Sequence, residues 1–200
     1  MPENYAERYL RSVQRIAERI DLSTLDKMIS LISVLREAHG RLFFVGVGGG
    51  AGNAGHAVND FRKLVGLECY APTDNPPELT ARVNDEGWES FFVNWLKVSR
   101  LSVKDGLFIF SVGGGDLENN ISANIVRAVE FAKERGAKIL GIVGRDGGFT
   151  ARSADACLIV PTLHADMVTP LTESFQSILW HLLVSHPDLK LAEMKWESVK

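Results

Sequence analysis

The chain has 200 residues, 46% of them hydrophobic and 24% charged, which fits one cored domain or one domain with a helical appendage. Twenty-two Lys+Arg against 25 Asp+Glu leave a net charge of -3. That argues against a protein that coats nucleic acid, because a phosphate backbone needs a basic face, but a small phosphorylated ligand held by backbone N–H groups stays open.

Met1 to Ile20 is polar and charged, without the apolar stretch of a signal peptide. No run approaches the roughly 20 apolar residues of a membrane span. The two cysteines, Cys69 and Cys157, form no CxxC pair. A cytoplasmic protein with no membrane partner is the expectation.

Residues 4–38 place Tyr9, Val13, Ile16, Ile20, Leu25, Met28, Ile29, Ile32 and Leu35 at helical spacing. Ser23 or Thr24 is the expected cap of the second helix, and Gly40 ends it. Leu42 to Val45 is wholly apolar, as in a buried parallel strand. Gly46-Val47-Gly48-Gly49-Gly50-Ala51-Gly52 follows, then a helix over about Asn53 to Val65. A second strand is predicted at Leu67–Ala71, a loop at Thr73 to Pro77, and a helix through Trp88–Val98. Trp88, Phe91, Phe92 and Trp95 are expected in a core or interface.

Leu107 to Phe110 is the third strand, followed by Ser111-Val112-Gly113-Gly114-Gly115-Asp116 and a helix from about Ser122 to Arg135. Lys138 to Val143 and Ala156 to Val160 are the fourth and fifth strands, joined through Gly144-Arg145-Asp146-Gly147-Gly148. Thr172 to Val184, between Pro170 and Pro187, is the last helix, and Lys190 to Lys200 is expected to be a solvent-facing tail. Strands alternating with helices imply a parallel sheet covered on both faces.

Two glycine turns, each at a strand's carboxyl end, carry the main functional signal. Parallel α/β sheets bind ligands outside those ends. Glycine lets a ligand approach the backbone, and a following helix N-terminus offers free N–H groups. Gly48–Gly52 and Gly113–Gly115 together point to one phosphorylated ligand between them. Gly46-x-Gly48-x-x-Ala51 with Glu68 also fits a dinucleotide fingerprint. That fingerprint asks for no second glycine turn, so no nucleotide cofactor is expected.

On one helix His56 and Asp60 are four residues apart, and on the last helix Glu173 and His181 are eight apart. Both spacings put the pair on a single helix face. Such a set suits a divalent metal such as zinc, or general acid–base work without one.

The chain resembles sugar isomerase (SIS) domains, and within them the phosphoheptose isomerases. The resemblance runs through the first glycine turn with His56 and Asp60, then Asn84-Asp85-x-Gly87, Phe110-Ser111 with its turn, and Gly144-Arg145-Asp146-Gly147-Gly148. It covers almost the whole chain. It implies an α/β, three-layer αβα fold with a five-stranded parallel sheet of flavodoxin-like topology, preceded by N-terminal helices. Residues 1–40 would serve packing and oligomerisation, and residues 41–200 would form the SIS domain. The family's G-N-G-G-S has Val47 and Gly50 for its Asn and Ser here. Its S-T-S-G-N-S is reduced to Ser111 and, after an insertion at Leu117 to Ile121, Ser122. Asp60 stands for the family's Glu and Glu173 for its Gln.

The resemblance implies ketose/aldose phosphate isomerisation through an enediol, on sedoheptulose 7-phosphate or a related sugar. Asp60 would be the base and His181 the acid. His56, Asp60, Glu173 and His181 would hold zinc or orient the sugar. Gly48, Gly49, Gly50, Ser111, Gly113, Gly114, Gly115 and Ser122 would hold the phosphate, and Asn84 and Asp85 the sugar. A homotetramer with sites between subunits is implied. The rival from another class is a non-catalytic SIS regulator or scaffold.

Overall fold

The computed structural model describes residues 4–199; residues 1–3 and 200, at the outer ends of the two expected segments, lie outside it. Five strands, β1 (Arg41–Gly46), β2 (Glu68–Tyr70), β3 (Gly106–Ser111), β4 (Lys138–Val143) and β5 (Ala156–Ile159), form one parallel sheet in the order β2-β1-β3-β4-β5. This is the flavodoxin-like order, and its switch point lies between β1 and β3.

Period-two alternation sorts the strand side chains into two cores. Leu42, Phe44, Phe108, Phe110, Leu140 and Ile142 face α2 (Leu22–Glu37), α3 (Gly49–Asp60) and α8 (Val168–Ser185). Phe43, Val45, Leu107, Ile109 and Ile139 face α5 (Phe91–Val98) and α6 (Ala123–Glu134). Phe44 centres the first core, with ring centroids 5.1 Å from both Phe61 and Phe108. Helix α1 (Tyr5–Ala17) and α2 bury Ile16, Leu25, Met28, Ile29, Ile32 and Leu35 in that same core. Among the described residues, no helix is long and apolar enough to cross a membrane.

Several local expectations are corrected. The cap of α2 is Asp21, whose carboxylate accepts from the N–H groups of Ser23 and Thr24. Helix α3 starts at Gly49, not Asn53, and a wider π-type turn carries it from Phe61 to Val65. Helix α4 (Pro76–Glu86) occupies part of the expected loop. Its prolines sit where a helix needs no N–H, and Asn75 caps it. It fully buries no residue, and only Leu79 and Val83, partly buried against the second core, give it an apolar side. Helix α7 (Gly148–Ser153) follows β4, and α8 begins at Val168 with Pro170 in its first turn.

The tail from Lys190 is exposed over most of its described length, as expected, but its start is docked. Leu189 is buried and Met194 packs on the first core. The N–H groups of Leu191 and Ala192 donate to Leu64, and Arg36 donates to the carbonyls of Asp188 and Leu189. Helix α9 (Lys195–Ser198) is exposed.

Candidate functional site

Helices α3 and α8 lie side by side in the same direction. Glu173 lies against Gly49, Gln176 meets Asn53, Trp180 meets His56, and His181 meets Asp60. A buried polar chain fixes the seam. Asn53 Nδ2 donates to the Glu173 carbonyl at 3.1 Å and to Gln176 Oε1 at 3.0 Å, and Gln176 Nε2 donates to the Ile142 carbonyl at 3.2 Å. Gln176 is fully buried, so this satisfied network specifies one register of α8 on the sheet.

At the far end of that seam, His56, Asp60 and His181 each offer a ligand atom, all within 4.8 Å of one another. His56 Nε2 is 3.7 Å and His181 Nε2 3.9 Å from Asp60 Oδ2. Those separations are close to the roughly 3.3 Å edge of a tetrahedron with 2.0–2.1 Å zinc bonds. His181 Nδ1 lies 2.8 Å from the Ser177 carbonyl one turn back. A proton on Nδ1 serves that carbonyl and leaves the Nε2 lone pair facing Asp60, the outer-shell arrangement that orients metal-binding histidines. The Trp180 ring stacks on His181 at 3.5 Å and meets His56 edge-on at 4.6 Å. Asp60 is 15% exposed against 58% for His56 and 44% for His181, so the carboxylate is sheltered and the imidazoles stay open to a small molecule. Three side chains with an open fourth direction are the donor set of a catalytic zinc site.

Glu173 does not join this cluster. Its carboxylate lies against Gly49, where a Cβ would come within 2.3–2.5 Å of it. Gly49 precedes His56 by seven helical positions, about 10 Å along the axis. The carboxylate thus faces the amino end of α3, whose dipole favours an anion. Cys69 and Cys157 stay apart from the chemistry. Burial pushes the Cys69 thiol far up and Cys157 up to about 12, so neither is a ready thiolate.

A cavity of about 990 Å³ lies at the carboxyl ends of β1, β3 and β4, and His56, Asp60 and His181 do not line it. Ser111, Gly113, Gly115 and Ser122 line it; Gly48, Gly49, Gly50 and Gly114 do not, while Val47 does. The glycines have more than one task. A Cβ at Gly114 would lie 2.0 Å from the Gly147 carbonyl oxygen, and one at Gly148 2.2 Å from that of Gly113. The turns after β3 and β4 therefore dock backbone on backbone. Thr150 N and Oγ1 donate to the Gly114 carbonyl, Phe149 N donates to Gly115, and Ser111 Oγ accepts from Gly114 N. Gly46 and Gly50 likewise let α3 press on β1 and β3.

Asn84 and Asp85 lie exposed on α4, hydrogen-bonded to each other, and neither lines the cavity. The insertion at 117–121 becomes a tight turn closed by a bridge between Asp116 and Ile121, and it brings Asn119 to the cavity wall. Sequence reasoning missed Asn119, Arg152, Ser177 and the Asn53–Gln176 tie. Only Ser177 had a legible signal, standing one turn before His181.

No family model matches the chain. It is 30% identical to the phosphoheptose isomerase of Helicobacter pylori strain Shi470 over 160 residues, covering 78% of this chain and 78% of that protein. It is 32% identical to the lincomycin biosynthesis protein LmbN of Streptomyces lincolnensis, across 74% of this chain but only 56% of that protein's length. The structure is similar to that of the phosphoheptose isomerase GmhA from Neisseria gonorrhoeae, with a TM-score of 0.77, 26% identity, and coverage of 90% of this chain and 94% of that one.

Proposed function

This chain belongs to the phosphoheptose isomerase family of SIS-fold sugar-phosphate isomerases, and on that premise we propose that it interconverts the ketose and aldose forms of sedoheptulose 7-phosphate or a close relative at the α3–α8 seam. The observation that carries this reading is the convergence of His56, Asp60 and His181. Isomerisation moves one proton between neighbouring carbons and needs no redox partner. Asp60 takes the proton from the carbon beside the carbonyl while His181, entering as the imidazolium, gives its Nε2 proton to the carbonyl oxygen to form the enediol, and it regains a proton from the neighbouring hydroxyl as the new carbonyl forms. Return of the proton to the former carbonyl carbon completes the exchange. The Ser177 carbonyl holds His181 Nδ1 and so fixes the ring with Nε2 toward Asp60. His56 orients the sugar oxygens from the open side.

The same three side chains alternatively fit a divalent metal, which His56, Asp60 and His181 would hold without Glu173, the metal then serving the sugar oxygens in place of His181. Zinc held there would polarise the sugar's carbonyl oxygen. The phosphate end belongs at the cavity above the switch point, with Ser111 and the N–H groups of its turn. The exposed Leu10, Leu22 and Val34 on α1 and α2 support a homo-oligomer, which we propose is a tetramer.

A coupled assay on sedoheptulose 7-phosphate tests the reading. Asp60→Ala should lose about 10²- to 10⁴-fold in kcat. Wild-type turnover in that variant refutes the assignment. Tight sugar-phosphate binding by the native chain without turnover would instead support a non-catalytic regulator, which the loss of the family's turn hydroxyls favours.

A further inference from the structure

The cavity wall contains four charged side chains, and they divide into two groups. Asp116 is engaged by its own turn: its carboxylate accepts from Glu118 N at 2.9 Å, Asn119 N at 3.2 Å and Asn119 Nδ2 at 2.6 Å. Asp146 Oδ1 accepts from Gly148 N at 3.3 Å. Both acids thus hold backbone. The two arginines do not. Arg145 and Arg152 line the same cavity and are exposed, and neither makes a hydrogen bond or ion pair with another described residue, although Arg152 lies within electrostatic reach of Asp116. Several other arginines are tied down, whereas Arg100, outside the cavity, is as free as these two. Arg41 is held by Asp105, Arg36 by two tail carbonyls, and Arg82 by Glu78 and Glu86.

The backbone aims this pair. Arg145 takes φ 54, a left-handed conformation rarely adopted outside glycine, asparagine and aspartate. Its side chain lies across the glycine turn after β3, where a Cβ on Gly113 would be 3.5 Å from Arg145 Cδ. Arg152 projects from α7, which is anchored to that turn by Thr150 and Phe149. Loss of hydroxyls from the turn after β3 leaves Ser111, whose Oγ accepts from Gly114 N and keeps its own O–H to donate, and Ser122. A doubly charged anion in this cavity therefore finds few hydroxyl donors, yet two guanidinium groups with unused donors.

We propose that Arg145 and Arg152 form a guanidinium clamp for the substrate's phosphate monoester, replacing turn hydroxyls with charge. A guanidinium offers paired N–H donors that match phosphate oxygens. The proposal rests on the sugar-phosphate reading above, but it concerns binding and stands or falls apart from turnover.

The test is calorimetric titration of the full chain with ribose 5-phosphate and with ribose, for the native protein, Arg145→Gln, Arg152→Gln and the double variant. Arg100→Gln, on an exposed position outside the cavity, is the control. Each cavity substitution should weaken ribose 5-phosphate binding about 10- to 100-fold, leaving thermal midpoints unchanged. Ribose binding should not change. If the native chain turns over sedoheptulose 7-phosphate, the variants should raise KM and retain kcat. Arginine-dependent phosphate binding without any turnover would uphold the clamp and sink the isomerase reading. Native affinity in the double variant, or no binding of ribose 5-phosphate by the native chain, overturns the clamp.

Discussion

Two glycine-to-alanine substitutions should have opposite signs. At Gly114 an added Cβ meets the Gly147 carbonyl oxygen at 2.0 Å and its carbon at 2.6 Å, and φ is +72°. The left-handed backbone alone costs an alanine about 1–2 kcal/mol. Relieving the overlap means parting the two turns, which strips the Gly114 and Gly115 carbonyls of the donors from Thr150 and Phe149. Each such buried bond left unmade costs about 1–3 kcal/mol, so the total should be about 3–5 kcal/mol. Gly52 lies in the interior of α3 with nothing within 4 Å of a Cβ, so alanine there should stabilise by about 0.5–1 kcal/mol through the restricted unfolded chain. Urea unfolding at equal m-values reads both. If the variants unfold within about 1 kcal/mol of each other, the backbone docking of the two turns is wrong.

Asp105→Ala should destabilise by about 3–5 kcal/mol, because a buried carboxylate accepting from Arg41 and Ser102 disappears and the Arg41 charge keeps only the carbonyls of Ser99 and Arg100. Burial alone would raise the Asp105 pKa, but the Arg41 and Ser102 donors hold it below the ordinary carboxylate value. Its contribution is therefore complete above that value, about 3.9 in an unfolded chain, and is lost as pH falls through the folded value. The gap in urea midpoint between native protein and variant should shrink in acid; a gap constant with pH contradicts the ion-pair reading. His181→Ala and His56→Ala should each lower zinc retained after dialysis, whereas Glu173→Gln should not; elemental analysis of the purified variants decides this, and equal loss in Glu173→Gln would return that residue to the ligand set.

The strands were legible because a parallel sheet buried on both faces writes itself as apolar runs, as at Leu42–Val45 and Leu107–Phe110. The His56/Asp60 pairing was legible for a similar reason: four residues on a helix is a fixed geometry. The reach of His181 to that pair followed from its place on the last helix, which the seam delivers. Glu173 failed the same logic. Eight residues put it on the His181 face but about 12 Å, or two turns, farther up, where Gly49 leaves room for a carboxylate. Helix α4 hid because only Leu79 and Val83 mark its inner side, too short a stripe to read beside two prolines. The glycine clusters misled in part, since Gly114 and Gly148 clear space for backbones more than 30 positions apart in sequence, and no local pattern encodes such a partner. Arg152 stood among ordinary surface residues until the fold brought α7 to the wall of the cavity.

The most direct measurement is turnover of sedoheptulose 7-phosphate by the purified full-length chain, before chelation, after chelation, and after zinc is restored. Isomerisation that falls with chelator and returns with zinc is the predicted result, and it places the chemistry at His56, Asp60 and His181. No isomerisation of this or any related ketose phosphate, with zinc supplied, would contradict it.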